Sequence, residues 1–144
     1  MEIIDMSCVH LDAVAELEKV CFSAPWSREA LASELENELS LWLIAMEDGV
    51  VLGYAGTQSV QGEADMMNIA VAPQARRKGV ARALMDMLVQ RLESRGVHSL
   101  SLEVRASNEP AVLLYKKLGF VQVGLRPGYY HKPREDALIL KKEW

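Results

Sequence analysis

Several features of exported, membrane-spanning and nucleic-acid-binding proteins are absent or scarce in this sequence. Its two cysteines, Cys8 and Cys21, form neither a C-x-x-C pair nor a Cys/His cluster, so we expect reduced thiols and no metal site. No apolar stretch approaches the roughly 20 residues that span a bilayer, and the N-terminus is acidic where a signal peptide is basic. A net charge of −4 does not favour nucleic-acid binding, which needs clustered positive charge. We therefore expect a cytoplasmic protein that binds neither membranes nor nucleic acids.

The composition that remains is typical of a soluble globular protein. Half of the residues are apolar and a quarter are charged. A chain of 144 residues is long enough to bury a core of its own. We expect residues 1–144 to form one domain.

Hydrophobic periodicity predicts a mixed order of elements, β-α-α-β-β-β-α-β-α-β-β. The predicted strands are Glu2–Met6, Leu41–Glu47, Val50–Val60, Met66–Val71, Leu100–Val104, Phe120–Leu125 and Ala137–Lys141. The predicted helices are Leu11–Cys21, a helix capped by Ser27 that runs to about Asn37, Gly79–Arg95 and Pro110–Leu118, while Arg126–Asp136 is rich in turn residues. Hairpins followed by alternating strands and helices predict an α/β (α+β) fold with a mixed sheet of about seven strands and about four helices.

A basic turn precedes the third predicted helix. Arg76, Arg77 and Lys78 lead directly into Gly79. A helix N-terminus offers free N–H groups and the positive end of the helix dipole, and glycine lets the backbone approach a pyrophosphate closely. The turn is therefore a candidate phosphate site, although a basic turn before an ordinary helix explains the same residues.

Glu103 lies in the middle of the predicted strand Leu100–Val104. A central strand covered on both sides is apolar on both faces, so a carboxylate there indicates that this face opens into a cleft. The alternative is a solvent-facing glutamate that pairs with a neighbouring cation.

Asn108 and Tyr115 belong to the last predicted helix. Asn108 suits the helix N-cap, and the Tyr115 ring leans toward the core while its hydroxyl needs a partner. Taken singly, each residue has this structural explanation, as a cap or as a packing aromatic.

In combination, these motifs resemble those of the GNAT acetyltransferase superfamily. Asn68–Pro73 leads into an R-x-x-G-x-A turn from Arg76 to Ala81, and the pattern N-x-x-A-x-x-L-Y-x-x-x-G-F runs from Asn108 to Phe120. The resemblance covers essentially the whole chain. It implies a GNAT-like fold that binds acetyl-CoA in a gap where the sheet splays between its fourth and fifth strands.

The resemblance also assigns roles to individual residues. It implies that Glu103 is the general base, that Tyr115 is the general acid and that Asn108 hydrogen-bonds the pantetheine arm of acetyl-CoA. It places the remaining cofactor contacts at Ile69, Ala70 and Val71 of the fourth strand and, for the pyrophosphate, at Arg77, Lys78, Gly79, Val80, Ala81 and Arg82. Reference pKa values are compatible with these roles, because a thiolate whose thiol has a pKa near 8.5 can take a proton from a phenol whose pKa is near 10.

A narrower likeness concerns the acceptor. Phe22–Ser27 and Tyr129–Ala137 are similar to the ribosomal-protein alanine N-acetyltransferases of the RimI type. That likeness implies an N-terminal peptide of a small-subunit ribosomal protein that begins with alanine as the substrate. We expect Trp26, Tyr129 and Tyr130 to wall a slot for the peptide end, unless these aromatic residues only cap the core.

Other acceptors remain open. The same scaffold serves small-amine and lysine N-acetyltransferases, but a lysine side chain, with a pKa near 10.4 against about 7.7–8.0 for an α-amine, costs roughly 3.5 kcal/mol more to deprotonate. A non-catalytic acyl-CoA-binding module is disfavoured because Glu103 and Tyr115 are both present. The acidic residues Glu34, Glu36 and Glu38 either attract a basic peptide or form an ordinary solvated face.

Overall fold

The computed structural model describes residues 1–144 as one seven-stranded sheet with four α-helices. The strands are β1 (Glu2–Asp5), β2 (Ser40–Glu47), β3 (Val50–Val60), β4 (Glu63–Val71), β5 (Ser99–Arg105), β6 (Val121–Tyr130) and β7 (Glu135–Glu143). The helices are α1 (Leu11–Cys21), α2 (Arg28–Leu35), α3 (Val80–Ser94) and α4 (Glu109–Lys117), with short 3₁₀ turns at Cys8–His10 and Pro73–Ala75. None of these helices has the length and apolar character needed to cross a membrane.

The predicted order of elements is confirmed, and the largest difference in bounds lies in the last hairpin. The segment Arg126–Asp136, predicted as a turn-rich connection, contains the ends of both strands, and the turn itself occupies only residues 131–134. Pro127 is tolerated in β6 because this edge strand pairs only with β7. The irregular pairing between Arg126 and Tyr130 accommodates it.

The sheet splays open between β4 and β5. Its strand order is β1-β2-β3-β4-β5-β7-β6, and β4–β5 is the parallel pair within an otherwise antiparallel sheet. The two strands pair only from Glu63 to Asp65, opposite Ser99 to Ser101, although both continue for several residues. The predicted mixed sheet and its splay are confirmed.

Both faces of the sheet are buried, which explains the unbroken apolar run in β2. Successive side chains of a strand point to opposite faces. Leu41 and Leu43 join the core beneath α3, whereas Trp42 and Ile44 join the core beneath α1 and α2. A strand that serves two cores cannot show the polar alternation of a half-exposed strand.

Trp42 has room in its core because the facing strand carries a glycine. Gly56 of β3 is its cross-strand partner, and a Cβ atom at Gly56 would lie 2.2 Å from the Trp42 ring. The indole in turn packs edge-on against Trp26, with the ring centroids 5.4 Å apart. This contact anchors the loop between α1 and α2 beside the open part of the sheet.

Candidate active site

The gap between β4 and β5 holds two adjoining cavities. The helix-side cavity, bounded by the N-terminus of α3, has a volume of about 640 Å³. The aromatic cavity, bounded by Trp26, Tyr129 and Tyr130, has a volume of about 710 Å³. The residues that line both cavities are Cys21, Phe22, Ile69, Asn108, Ala111 and Tyr115. These shared walls make the two spaces one continuous site with two chemically different ends.

The start of α3 presents free hydrogen-bond donors to the helix-side cavity. Gly79 is the N-cap residue and has a φ of 80°, which glycine adopts without the steric cost of a side chain. The first intrahelical bond runs from Ala83 N–H to the Gly79 carbonyl at 3.0 Å. The N–H groups of Val80, Ala81 and Arg82 therefore have no helical acceptor. Together with the helix dipole, they form an arrangement that favours an anion.

Nearly all of the predicted cofactor residues line the helix-side cavity. They are Ile69, Ala70, Val71, Arg77, Gly79, Val80, Ala81, Arg82 and Asn108. Lys78 belongs to the same turn but lies outside the cavity wall. Arg76, which was not among the predicted contacts, also lines the cavity, and its Nε donates to the Val71 carbonyl at 3.2 Å. Arg76 is the first residue of the R-x-x-G-x-A motif, so the motif already indicated that Arg76 lies at this site.

Two main-chain N–H groups of β4 face the gap. Ala72 N–H donates to the Leu52 carbonyl of β3 at 2.8 Å, and alternate residues of a strand direct their N–H groups to opposite sides. Ile69 and Val71 therefore direct theirs away from β3, toward the side on which β5 no longer pairs. The Ile69 N–H donates a hydrogen bond to the Asn68 side-chain oxygen at 3.2 Å. The splay thus leaves both N–H groups without a partner on β5, and Ile69 meets only the side chain of its neighbour.

Tyr115 stands where the two cavities meet. Its ring packs edge-on against Phe120, with the centroids 5.6 Å apart, as expected for an aromatic residue facing the core. Its hydroxyl donates to no group of the protein and is free to contact a substrate. Burial, with a smaller contribution from nearby Tyr130, raises the pKa of Tyr115 to about 12. The phenol is therefore protonated at neutral pH.

Glu103 lines the aromatic cavity from β5. The strand buries Leu102 and Val104 and turns Glu103 toward the cavity, so the sequence correctly indicated that this face opens into a cleft. The carboxylate also pairs with Arg126, at 3.4 Å from Oε1 to Nε, as expected from the alternative interpretation that Glu103 pairs with a neighbouring cation. The role of Glu103 as a base stays a prediction.

Asn108 has both a structural contact and a free group. Its Oδ1 accepts a hydrogen bond from Ala111 N–H at 3.3 Å, which confirms that it caps α4. Its side-chain NH₂ group is not used by the cap and the residue lines both cavities. The cap therefore leaves a donor available at the junction of the cavities.

Glu18 is a buried residue near the site that the sequence did not reveal. It is completely inaccessible to solvent and accepts hydrogen bonds from Trp26 N–H at 2.8 Å, from the Asn68 amide at 2.7 Å and from the Tyr54 hydroxyl. Burial and the hydrogen bond to Glu18 raise the pKa of Tyr54 above its usual range. Glu18 follows Val14 by one helical turn, so its position on the apolar face of α1 was the available signal.

The predicted position of Glu34 on the protein surface is wrong. Both interpretations of Glu34, Glu36 and Glu38 placed these residues on a solvated surface, but Glu34 is buried. Its carboxylate accepts hydrogen bonds from Trp42 Nε1 at 3.1 Å and from Gln58 Nε2 at 2.9 Å. Packing of α2 against β2 and β3 turns Glu34 inward, so it satisfies core donors instead of attracting a peptide.

Several known proteins to which this chain is similar are N-acetyltransferases by name. The sequence profile of the Acetyltransferase (GNAT) family matches residues 11–120. The ribosomal protein bS18-alanine N-acetyltransferase of Escherichia coli is 42% identical over 132 residues, which cover 90% of this chain and 88% of the relative. The enzyme of that name from Salmonella typhimurium is 40% identical over 138 residues, covering 94% and 92%. A crystal structure of the ribosomal-protein alanine N-acetyltransferase from Escherichia coli superposes with a TM-score of 0.90 at 39% identity, covering 99% of this chain and 92% of that chain.

Proposed function

Because the chain belongs to the acetyltransferase (GNAT) family, we propose that it transfers an acetyl group from acetyl-CoA to the N-terminal α-amine of ribosomal protein bS18, at an N-terminal alanine. The observation that carries the proposal is the meeting of the two cavities at Ile69, Asn108 and Tyr115. One end of the continuous site suits an anionic cofactor and the other suits a peptide. Residues 1–144 act as one catalytic domain in this proposal.

The helix-side cavity fits acetyl-CoA by its chemistry. The free N–H groups of α3, with the guanidinium groups of Arg77 and Arg82 nearby, suit a pyrophosphate. Pro110 and Leu114 add apolar surface that suits the carbon chain of pantetheine, and the free amide NH₂ of Asn108 suits one of its carbonyl groups. These contacts direct the thioester toward the junction with the aromatic cavity.

The reaction proceeds by direct transfer at that junction. The neutral α-amine enters from the aromatic cavity and attacks the thioester carbonyl carbon, forming the C–N bond. The oxyanion that develops accepts hydrogen bonds from the β4 N–H groups that face the gap, those of Ile69 and Val71. Ile69 lines both cavities, and its N–H exchanges its hydrogen bond to Asn68 for one to the oxyanion. The C–S bond then breaks, Glu103 takes the amine proton, directly or through a water molecule, and the sulfur receives a proton at Tyr115.

The pKa of Tyr115 restricts how it acts on the leaving sulfur. With the phenol at about 12 and a thiol near 8.5, complete proton transfer from tyrosine to a free thiolate is uphill by about 5 kcal/mol. The hydroxyl therefore stabilises the departing sulfur first as a hydrogen-bond donor. Net transfer is completed when the phenolate regains a proton from solvent and Glu103 releases the amine proton to solvent. Burial thus makes this step less favourable than the reference pKa of 10 implied.

The acceptor is tested by initial rates with acetyl-CoA and three peptides of matched length. One begins Ala-Arg, one begins Met-Leu, and one begins with acetyl-blocked alanine and carries an internal lysine. We expect the Ala-Arg peptide to be acetylated with the highest kcat/KM. Transfer to the blocked peptide alone would show that the acceptor is a lysine side chain and would overturn the proposal.

A further inference from the structure

The guanidinium group of Arg105 is bound entirely to the hairpin that joins β6 and β7. Its Nη1 donates to the Pro133 carbonyl at 3.1 Å and to the Glu135 carboxylate at 3.3 Å. Its Nη2 donates to the His131 carbonyl at 3.3 Å. The guanidinium carbon also lies 4.4 Å from the centroid of the Tyr130 ring, which is within the range of a cation–π contact. One side chain therefore fixes both sides of the turn and the aromatic residue that precedes it.

Glu135 extends this connection to the start of α4. Its second carboxylate oxygen accepts a hydrogen bond from Ser107 N–H at 2.5 Å, next to the cap residue Asn108. The hydrogen bond from Ser107, with a smaller contribution from Arg105, lowers the pKa of Glu135 below its usual range. The carboxylate is therefore charged at neutral pH, and the end of β5, the β6–β7 turn and the N-terminus of α4 are held together.

The position of Arg105 suggests two different roles. Arg105 lines the aromatic cavity, where a free arginine would recognise an anionic group of the acceptor. However, its donors are directed to Pro133, Glu135 and His131 rather than to the cavity. Its positive charge is also partly balanced by Glu135, in an ion pair whose side chains are 30% and 17% exposed. The side chain is therefore occupied by the protein before any acceptor arrives.

We propose that Arg105 is a positioning residue that holds Tyr130 and its neighbour Tyr129 as the wall of the aromatic cavity and thereby determines the affinity for the acceptor peptide. Tyr129 and Tyr130 pack edge-on, with their centroids 5.1 Å apart, so a fixed Tyr130 also fixes Tyr129. A planar fork with several donors is needed because the two carbonyl groups and the carboxylate lie in different directions around it. The proposal rests on the proposed function, since it concerns the acceptor end of that site.

The test is a steady-state comparison of Arg105→Gln and Arg105→Lys with the unchanged enzyme, using the Ala-Arg peptide and acetyl-CoA. Both variants are expected to raise the KM for the peptide about tenfold, equivalent to about 1.4 kcal/mol. Their kcat at saturating peptide and their KM for acetyl-CoA are expected to stay close to those of the unchanged enzyme. Lys132→Gln is the matched control, because it removes one positive charge from the same turn at an exposed position, and it is expected to leave the peptide KM unchanged.

Several results would overturn the proposal. Arg105→Lys with a wild-type peptide KM would mean that a positive charge alone is required at this position. An equal rise of the peptide KM in Lys132→Gln would mean that the loss of positive charge near the site, and not the position of Tyr130, is responsible. A fall in kcat with no change in the peptide KM would also contradict it. Acetyl-CoA binding measured by calorimetry verifies that each variant is folded. If Arg105→Gln fails to bind acetyl-CoA, Tyr130→Leu replaces it in the test and must raise the peptide KM, and an unchanged KM overturns the proposal.

Failure of this inference is distinguishable from failure of the proposed function. If the unchanged enzyme does not acetylate the Ala-Arg peptide, the proposed acceptor is wrong. If the unchanged enzyme acetylates it and the Arg105 variants retain its peptide KM, only the positioning role of Arg105 is wrong.

Discussion

The Glu18 carboxylate accepts a hydrogen bond from the main-chain N–H of Trp26 at 2.8 Å. Helix α1 thereby holds the loop that forms one wall of the aromatic cavity. Because the same carboxylate binds the Tyr54 hydroxyl of β3 and the Asn68 amide of β4, the loop, the helix and the sheet share one buried anchor. The wall of the acceptor site is therefore fixed from inside the core.

Glu18→Gln is expected to destabilise the protein. The amide has one acceptor oxygen and brings two donors to a place where three donors already converge, so at least one buried donor loses its partner. Each such loss costs about 1–3 kcal/mol, and we expect the free energy of unfolding to fall by about 2 kcal/mol or more. Denaturant titration measures it, with Glu16→Gln as the exposed control on the same helix. Equal stability of the two variants would contradict the anchoring role.

Gly56→Ala is expected to disturb the packing of Trp42. The new methyl group would lie 2.2 Å from the Trp42 ring, and such overpacking costs about 1–3 kcal/mol or more. Gly124→Ala is the matched control in β6, because the nearest atom to its methyl group would be the flexible end of Ile139 at 3.2 Å, and the rest of that side chain lies at ordinary contact distance. Thermal unfolding should show a clearly lower Tm for the Gly56 variant, and the prediction is wrong if Gly124→Ala is destabilised equally.

Tyr115→Phe is expected to lower kcat by about 10²–10⁴-fold, the usual contribution of a positioned acid or base. The phenyl ring keeps the packing against Phe120 and removes only the hydroxyl, so the KM for acetyl-CoA should change little. Single-turnover rates with saturating acetyl-CoA separate this chemical effect from binding. An unchanged rate would mean that the hydroxyl does not act on the leaving sulfur.

The pH dependence of kcat/KM follows from the pKa of Tyr115. The rate should rise as the acceptor α-amine loses its proton near pH 7.7–8.0. Because burial raises the pKa of Tyr115 to about 12, the phenol keeps its proton and the rate should stay level up to about pH 10.5. A fall centred near pH 10 that is absent in Tyr115→Phe would show that the phenol ionises at its ordinary value and would contradict this account.

The sequence predicted the features of this protein that depend on local pattern. Gly79 before an amphipathic helix and the polar face of Glu103 in an apolar strand both led to residues that line the site. The order of strands and helices was also predictable, because hydrophobic spacing and turn residues determine it locally.

The features that sequence reasoning missed depend on packing between distant segments. Glu18 and Glu34 resemble surface glutamates on short helices, and their burial depends on donors from β2, β3, β4 and the α1–α2 loop. The roles of Arg105 and Glu135 likewise arise only when β5 lies beside the last hairpin. Apart from the position of Glu18 on the apolar face of α1, no local pattern distinguishes these carboxylates from solvated ones, because their partners lie as many as 50 residues away.

Transfer of the acetyl group to an α-amine is tested most directly by the position of that group in the product. The substrate is a peptide that begins with a free alanine and also contains an internal lysine, incubated with the enzyme and acetyl-CoA. Tandem mass spectrometry then locates the acetyl group. We predict acetylation of the alanine nitrogen with an unmodified lysine, and acetylation of the lysine with a free N-terminus would contradict the account.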